Sequence, residues 1–234
     1  MISGIIFDKD GTLFDFNATW GAWTRAMLIA EAGDDPVLCE RLAAVLGYDM
    51  VNARFFPGSL VIASTVDDVA DAILDVVPAT DKSALLDRMN AGSAKVDQVE
   101  AVPLRAYTAQ LRQMGLTLGV ATNDAEAPAL RHLDKAGIRD DFSFIAGYDS
   151  GYGAKPGPGQ LHGFCRATGL VPAACIMVGD STHDLHAGRA AGMMTIGVLT
   201  GPAPREDLDG MADVVLPTIA DIPGWLQRER LIAS

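Results

Sequence analysis

The chain is poor in cysteine, in positive charge and in long apolar runs. Its three cysteines, Cys39, Cys165 and Cys175, are scattered through 234 residues. An odd, unclustered set supports neither a disulfide framework nor a thiolate metal site, and fits reduced thiols in a cytoplasmic protein. Lysine and arginine total 18 against 30 acidic residues, for a formal net charge of −12, so a basic face for nucleic acid or an anionic membrane surface is not expected. No segment has the uninterrupted apolar length to span a bilayer. Met1 runs into an apolar stretch without a basic start or cleavage region, so no signal peptide is expected. Of the four histidines, His132, His162, His183 and His186, only His183 lies in a motif, where it reads as a first-turn helix residue near a cleft mouth. Internal repeats and low-complexity tracts are also lacking.

What is present is a hydrophobic content of 49%, ample for a packed interior, and four polar clusters that follow strand-like runs. Ile2 to Phe7 leads into Asp8-Lys9-Asp10-Gly11-Thr12-Leu13. Leu116 to Ala121 leads into Thr122-Asn123-Asp124. Phe142 to Gly147 is followed by Gly153-Ala154-Lys155-Pro156, and Cys175 to Val178 by Gly179-Asp180-Ser181-Thr182-His183-Asp184. Taken singly, Asp-Gly makes a turn, Asp124 caps the helix that follows it, Lys155 is a solvated loop residue, and Asp180 and Asp184 charge a helix start. Ligands of an open α/β sheet bind outside the carboxyl ends of its strands, where residues remote in sequence meet. Four such clusters in one chain therefore point to one site.

Between the first strand and about Leu116 the pattern is helical, with no convincing strand: Ala18 to Glu31, Pro36 to Leu46, Val66 to Val77 and Lys82 to Asp97, broken at Gly33, Phe56-Pro57-Gly58 and Pro78. Such an interval is too long for an ordinary crossover and reads as an inserted helical bundle. From Pro103 onward helices and strands alternate regularly, ending in strands near Met194 to Leu199 and Asp213 to Leu216 and a helix at Ile222 to Arg230. This predicts a doubly wound, mainly parallel α/β sheet.

With these residues in place, the chain resembles the haloacid dehalogenase superfamily, in its phosphoglycolate phosphatase-like branch. All four motifs occur in order, and Asp-x-Asp-Gly-Thr is the strongest of them. The resemblance implies a Rossmann-like core of residues 1–15 and 100–234, a helical cap of residues 16–99 that closes over the site, and hydrolysis of a small phosphorylated metabolite. It makes Asp8 the nucleophile that forms an aspartyl-phosphate and Asp10 the general acid and base. Thr122, assisted by Asn123, and Lys155 then bind the transferring phosphoryl group. A carboxylate meeting a phosphate dianion faces repulsion of about 8 kcal/mol, if each charge pair at about 4 Å costs about 4 kcal/mol, so a cation is required. Mg²⁺ held by Asp8, Asp180 and the main-chain carbonyl of Asp10, with Asp184 orienting ligands or a bound water, meets that need.

Lys9 departs from the apolar residue usual in the family. Strand alternation turns it from the cleft, pairing with a neighbouring acid is expected, and its loss should cost little turnover. Trp20 and Trp23 read as bundle packing, and Arg25 and Arg54 as the cap cations for a substrate carboxylate or second phosphate. The alternatives are a β-phosphoglucomutase-like phosphotransferase and a non-catalytic phosphate-binding regulatory module. A dehalogenase is disfavoured by Asp10, and a phosphonate hydrolase by the lack of a marked cap lysine. Sequence leaves the substrate and the oligomeric state open.

Overall fold

The computed structural model describes residues 1–33, 35–62, 64–77 and 80–232. Its central strand, β1 (Gly4–Phe7), is buried at every position. A strand with two covered faces must divide its side chains between two layers. Ile5 and Phe7 join the cluster of Leu118, Val120, Ile176 and Val178, while Ile6 joins Ala121, Phe164 and Met177 on the other side.

The remaining strands are β2 (Tyr48–Asp49), β3 (Arg54–Phe55), β4 (Thr117–Ala121), β5 (Phe144–Ala146), β6 (Cys175–Gly179), β7 (Met194–Val198) and β8 (Val214–Leu216). Six of them form one sheet in the order β5-β4-β1-β6-β7-β8, parallel at every pairing. The chain builds outward from β1 to β5, then crosses to β6 and continues the other way. That reversal opens a crevice beside the end of β1. The helices are α1 (Phe16–Ala32), α2 (Pro36–Leu46), α3 (Val66–Val76), α4 (Lys82–Ser93), α5 (Leu104–Gln113), α6 (Glu126–Ala136), α7 (Gly159–Thr168), α8 (Thr182–Ala191), α9 (Arg205–Leu208) and α10 (Ile222–Arg228). Apolar residues of α5, α6 and α10 cover one face of the sheet, and those of α7 and α8 the other.

Helices α1 to α4 carry a separate apolar core that includes Phe16, Leu28, Leu42, Phe55, Ile73 and Leu85. Side-chain caps start all four: Asp15 accepts from Ala18 N, Asp35 from Val37 N and Leu38 N, Thr65 from Asp68 N, and Asp81 from Ala84 N. The chain enters and leaves this unit along adjacent paths, with Asp15 N donating to Val99 O at 2.8 Å and Ala101 N to Leu13 O at 2.9 Å.

Two expectations need correction here. The inserted segment is not purely helical: β2 and β3 form an antiparallel hairpin. Two-residue strands have no readable period, and the turn is made by the Asp49 carboxylate, which accepts from Val51 N and Asn52 N, instead of by Gly or Pro. Helix α4 stops at Ser93 instead of Asp97, because Gly92-Ser93 is a weak helical pair and the chain tightens there, Lys95 N donating to Gly92 O and Val96 N to Ser93 O. The breaks at Gly33 and Phe56-Pro57-Gly58 stand, with Gly33 capping α1 at φ 60° and Ser59 N closing a turn on Phe56 O. The break at Pro78 lies outside the described residues. Among the described residues no helix is long and apolar enough to cross a membrane.

Packing of α7 on the sheet rests on missing side chains. A β-carbon at Gly119 would lie 2.7 Å from Phe164 Cδ2, and one at Gly4 would lie 3.1 Å from Phe164 Cε1. The buried Phe164 ring fills the space that both glycines leave. Gly119→Ala is therefore expected to destabilise the fold by about 1–3 kcal/mol through overpacking, read as a lower urea midpoint with an unchanged slope. An unchanged midpoint would show that the ring can step aside.

Candidate active site

The carboxyl ends of the strands assemble the site. Asp8 follows β1, Thr122 follows β4, Asp180 follows β6, Lys155 comes from the loop after β5, and Asp184 lies in the first turn of α8. The Lys155 ammonium donates to Asp8 Oδ1 at 2.5 Å and to Asp184 Oδ1 at 2.6 Å, with all three residues buried. These two acids outweigh the burial that opposes its charge and hold its pKa above the usual lysine range. The main chain of Lys155 is fixed by Asn123, whose Oδ1 accepts from Lys155 N and whose Nδ2 donates to Lys155 O, both at 2.9 Å. Asn123 thus positions the lysine loop, and it also lines the cleft.

Thr122 is held by its backbone, which donates to Ala146 O at 3.0 Å and accepts from Gln160 Nε2 at 3.0 Å. Its Oγ1 accepts from Asp124 N at 3.0 Å, so the hydroxyl proton can point into the cleft. The expected capping by Asp124 is corrected. Asp124 Oδ1 reaches only the Ala125 N–H, and Asp149 takes the Glu126 N–H at the start of α6.

Asp8, Asp180 and Asp184 offer oxygen atoms that all lie within 4.8 Å of one another. Three buried carboxylates around one ammonium leave negative charge uncompensated. Burial raises Asp8 to a pKa of about 7, with Asp184 and Asp10 adding to the rise and Lys155 opposing it. Burial and the charges of Asp8 and Asp184 push Asp180 well above the carboxylate range. Asp180 Oδ1 accepts from Thr12 Oγ1 at 3.3 Å, but its Oδ2 is buried without a hydrogen-bond partner. Gly11, at φ 86°, permits this crowding: a β-carbon there would sit 2.3 Å from Asp180 Oδ2. An orphaned carboxylate oxygen among hard oxygen donors fits a divalent cation such as Mg²⁺. Asp184 lies within this cluster, and its Oδ2 accepts from Ser181 N at 3.0 Å and Ser181 Oγ at 2.7 Å, so its direct partners are the lysine and the helix start.

Asp10 stands apart from that cluster. Its Oδ1 accepts from Trp20 Nε1 at 2.7 Å, and its Oδ2 pairs with Lys9 Nζ at 2.6 Å. Lys9 does pair with an acid, as expected, but the acid is Asp10, with Asp124 Oδ2 also at 3.4 Å. Fully buried, Lys9 is held charged because Asp10 and Asp124 outweigh the burial that opposes it. It also meets His132 Nδ1 at 3.3 Å, while His132 Nε2 reaches Ser93 O at 3.0 Å. Burial and the Lys9 charge draw His132 down to about 4, so the neutral ring accepts from Lys9 and donates to Ser93.

Trp20 is more than bundle packing, because its indole ties α1 to Asp10. The signal that could have found it is general: a buried indole N–H needs an acceptor. Thr12, Ser181 and Gln160 were also missed as supports, since nothing in their spacing marks them. Arg25 and Arg54 are exposed and do not line the cleft, whereas His183 does.

A carboxylate whose pKa is higher in the folded protein than in the unfolded chain removes stability as pH rises through that interval. In metal-free protein, Asp180→Asn is therefore expected to raise the melting temperature at pH 8 and to raise it less toward pH 5. Mg²⁺ should stabilise the wild type by about 2.7 kcal/mol at 100 times its Kd, and the variant by less. A gain independent of pH would remove Asp180 as a disfavoured charge.

With this geometry in view, comparison with known proteins gives a consistent result. The haloacid dehalogenase-like hydrolase family matches residues 2–192. A phosphoglycolate phosphatase of Neisseria meningitidis is 30% identical over 204 residues, which cover 86% of this chain and 81% of that protein. A phosphoglycolate phosphatase of Pectobacterium atrosepticum is 30% identical over 222 residues, covering 94% and 91%. In fold, the chain is similar to the crystal structure of a predicted phosphoglycolate phosphatase from Haemophilus somnus 129PT, with a TM-score of 0.75 at 20% identity over 97% of this chain and 98% of that one. The chain belongs to the haloacid dehalogenase-like hydrolase family and is an enzyme of its phosphatase kind.

Proposed function

We propose that this chain hydrolyses a small phosphate monoester by way of a phosphorylated Asp8, with residues 1–15 and 100–234 as the catalytic core and 16–99 as a cap over it. The observation that carries this reading is the separation of two acids one residue apart in β1's polar extension. Asp8 is buried against Lys155, while Asp10 is held at the cap side by Trp20 and Lys9. Asp8, Asp180 and the main-chain carbonyl of Asp10 are assigned to Mg²⁺, which when bound offsets the repulsion between carboxylate and phosphate dianion. Three free thiols fit a cytoplasmic setting.

In the first step an Asp8 oxygen attacks phosphorus, the bond to the ester oxygen breaks, and Asp10 gives its proton to the leaving alkoxide. In the second, Asp10 takes a proton from water, the hydroxide attacks phosphorus, and the acyl phosphate bond breaks to return the Asp8 carboxylate and inorganic phosphate. Lys155 supplies positive charge beside Asp8 throughout, and Thr122 donates its hydroxyl to a phosphoryl oxygen. Asp184 keeps the ammonium aimed.

Rapid-quench trapping with a labelled aryl phosphate tests the roles. Asp10→Asn is expected to accumulate label on Asp8, since an aryl leaving group departs without a proton, and Asp8→Asn to trap none. Label at Asp10, or turnover surviving in Asp8→Asn, would overturn the assignment. Chelation should abolish activity, and phosphate release without an added sugar bisphosphate separates hydrolysis from a mutase.

The sequence-based expectation for Lys9 changes with its contact to Asp10. Lys9→Met is now expected to lower kcat on alkyl phosphates about tenfold or more and on aryl phosphates by less, because only the former depend on a well-placed proton donor. Equal losses on both would show that Lys9 only supports the fold. Lys155→Ala should cost most of the turnover on either.

A further inference from the structure

The cleft continues past Asp8 and Asp10 between the sheet and the inserted helices. Its far walls are apolar, with Phe16, Trp23, Met27, Val61, Val66 and Met89 among them. Trp20 and Trp23 pack edge to face at 5.6 Å. Neutral groups complete this side, and two of them are engaged within the protein: Thr65 Oγ1 donates to Asp68 Oδ2 at 2.7 Å, and Ser93 Oγ to Asn90 O at 3.1 Å.

Charge decides what such a cleft can accept. Among the described residues that line it, Lys155 is the only lysine or arginine, and its ammonium is engaged by Asp8 and Asp184. The other charged side chains on the lining are the aspartates 8, 10, 124 and 184. A carboxylate or second phosphate on the leaving group would lose its water there, face Asp10 and find no cation on the inserted helices.

We infer that the substrate is a phosphate monoester of an uncharged, largely apolar alcohol, and that phosphoglycolate is a poor one. This rests on the phosphatase reading above and narrows it. The phosphate occupies the Asp8, Thr122 and Lys155 end, the ester oxygen meets Asp10, and the apolar group lies against Trp20, Trp23 and Met27. The apolar wall favours such a group by removing its surface from water, and the unpaired acids disfavour an anionic one.

The test is kcat/KM of the full chain with Mg²⁺ on benzyl phosphate, phosphoglycolate, glucose 6-phosphate and phosphocholine, read as phosphate release. Benzyl phosphate is expected to exceed phosphoglycolate by about 100-fold and to lead the panel. Met27→Arg, which places a cation on the wall, should narrow that ratio by about tenfold or more, while Met27→Leu keeps it; if Met27→Arg does not fold, Val66→Lys serves in its place. Preference for phosphoglycolate, the sugar phosphate or phosphocholine, or a ratio unmoved in a folded cationic variant, would overturn the inference and leave the phosphatase reading intact. No phosphate release from any of the four esters would overturn both.

Discussion

An ammonium between two buried carboxylates organises this site. Lys155 touches both Asp8 and Asp184, and without it three acids would stand together out of water. Removing one partner of a buried ion pair costs about 3–5 kcal/mol, so the loop that brings Lys155 in must be held as firmly as the strands. Asn123 does this with two hydrogen bonds to the lysine's own backbone, and Ser181 does it for Asp184. Even so, one ammonium cannot balance three carboxylates. Burial raises the pKa of Asp8 and leaves one Asp180 oxygen without a hydrogen-bond partner, an arrangement suited to a divalent cation.

The second aspartate of the motif is governed from elsewhere. Asp10 is reached by the indole of Trp20 on α1 and by Lys9 from within the strand's extension. Lys9 in turn leads through His132 to the Ser93 carbonyl at the end of α4. Asp10 is therefore anchored to both ends of the inserted helical unit, while Asp8 is held by the sheet and by Lys155. Any shift of that unit against the core would be felt first at Asp10.

The same unit sets the character of the cleft. Its cationic side chains Arg25 and Arg54 are turned to solvent, and its inward faces carry tryptophan, methionine and valine. The buried acid cluster and the apolar wall thus come from different parts of the chain, and likeness in the first does not carry the second.

Much of the fold and the chemical end of the site was legible in the residues. Apolar runs ending in Asp8, Thr122 and Asp180 marked strand ends, because a buried parallel strand is apolar on both faces and turns polar where it leaves the sheet. The parallel order and the helical insertion followed from alternation and from an interval too long for a crossover. What was not legible depended on direction and distance. Alternation could not show that Lys9, turned from the cleft, would fold back on Asp10. Helical spacing could not tell that Trp20 would aim its indole at that acid while Arg25 faced solvent, and the Asp49 turn hid a hairpin too short to have a period. Sequence by itself determined which groups are available and which strand ends carry them, since both are local properties of the chain. Only the tertiary structure decided which group meets which, and what lines the cleft, because contacts such as Thr12 to Asp180 join residues 168 positions apart and are set by packing.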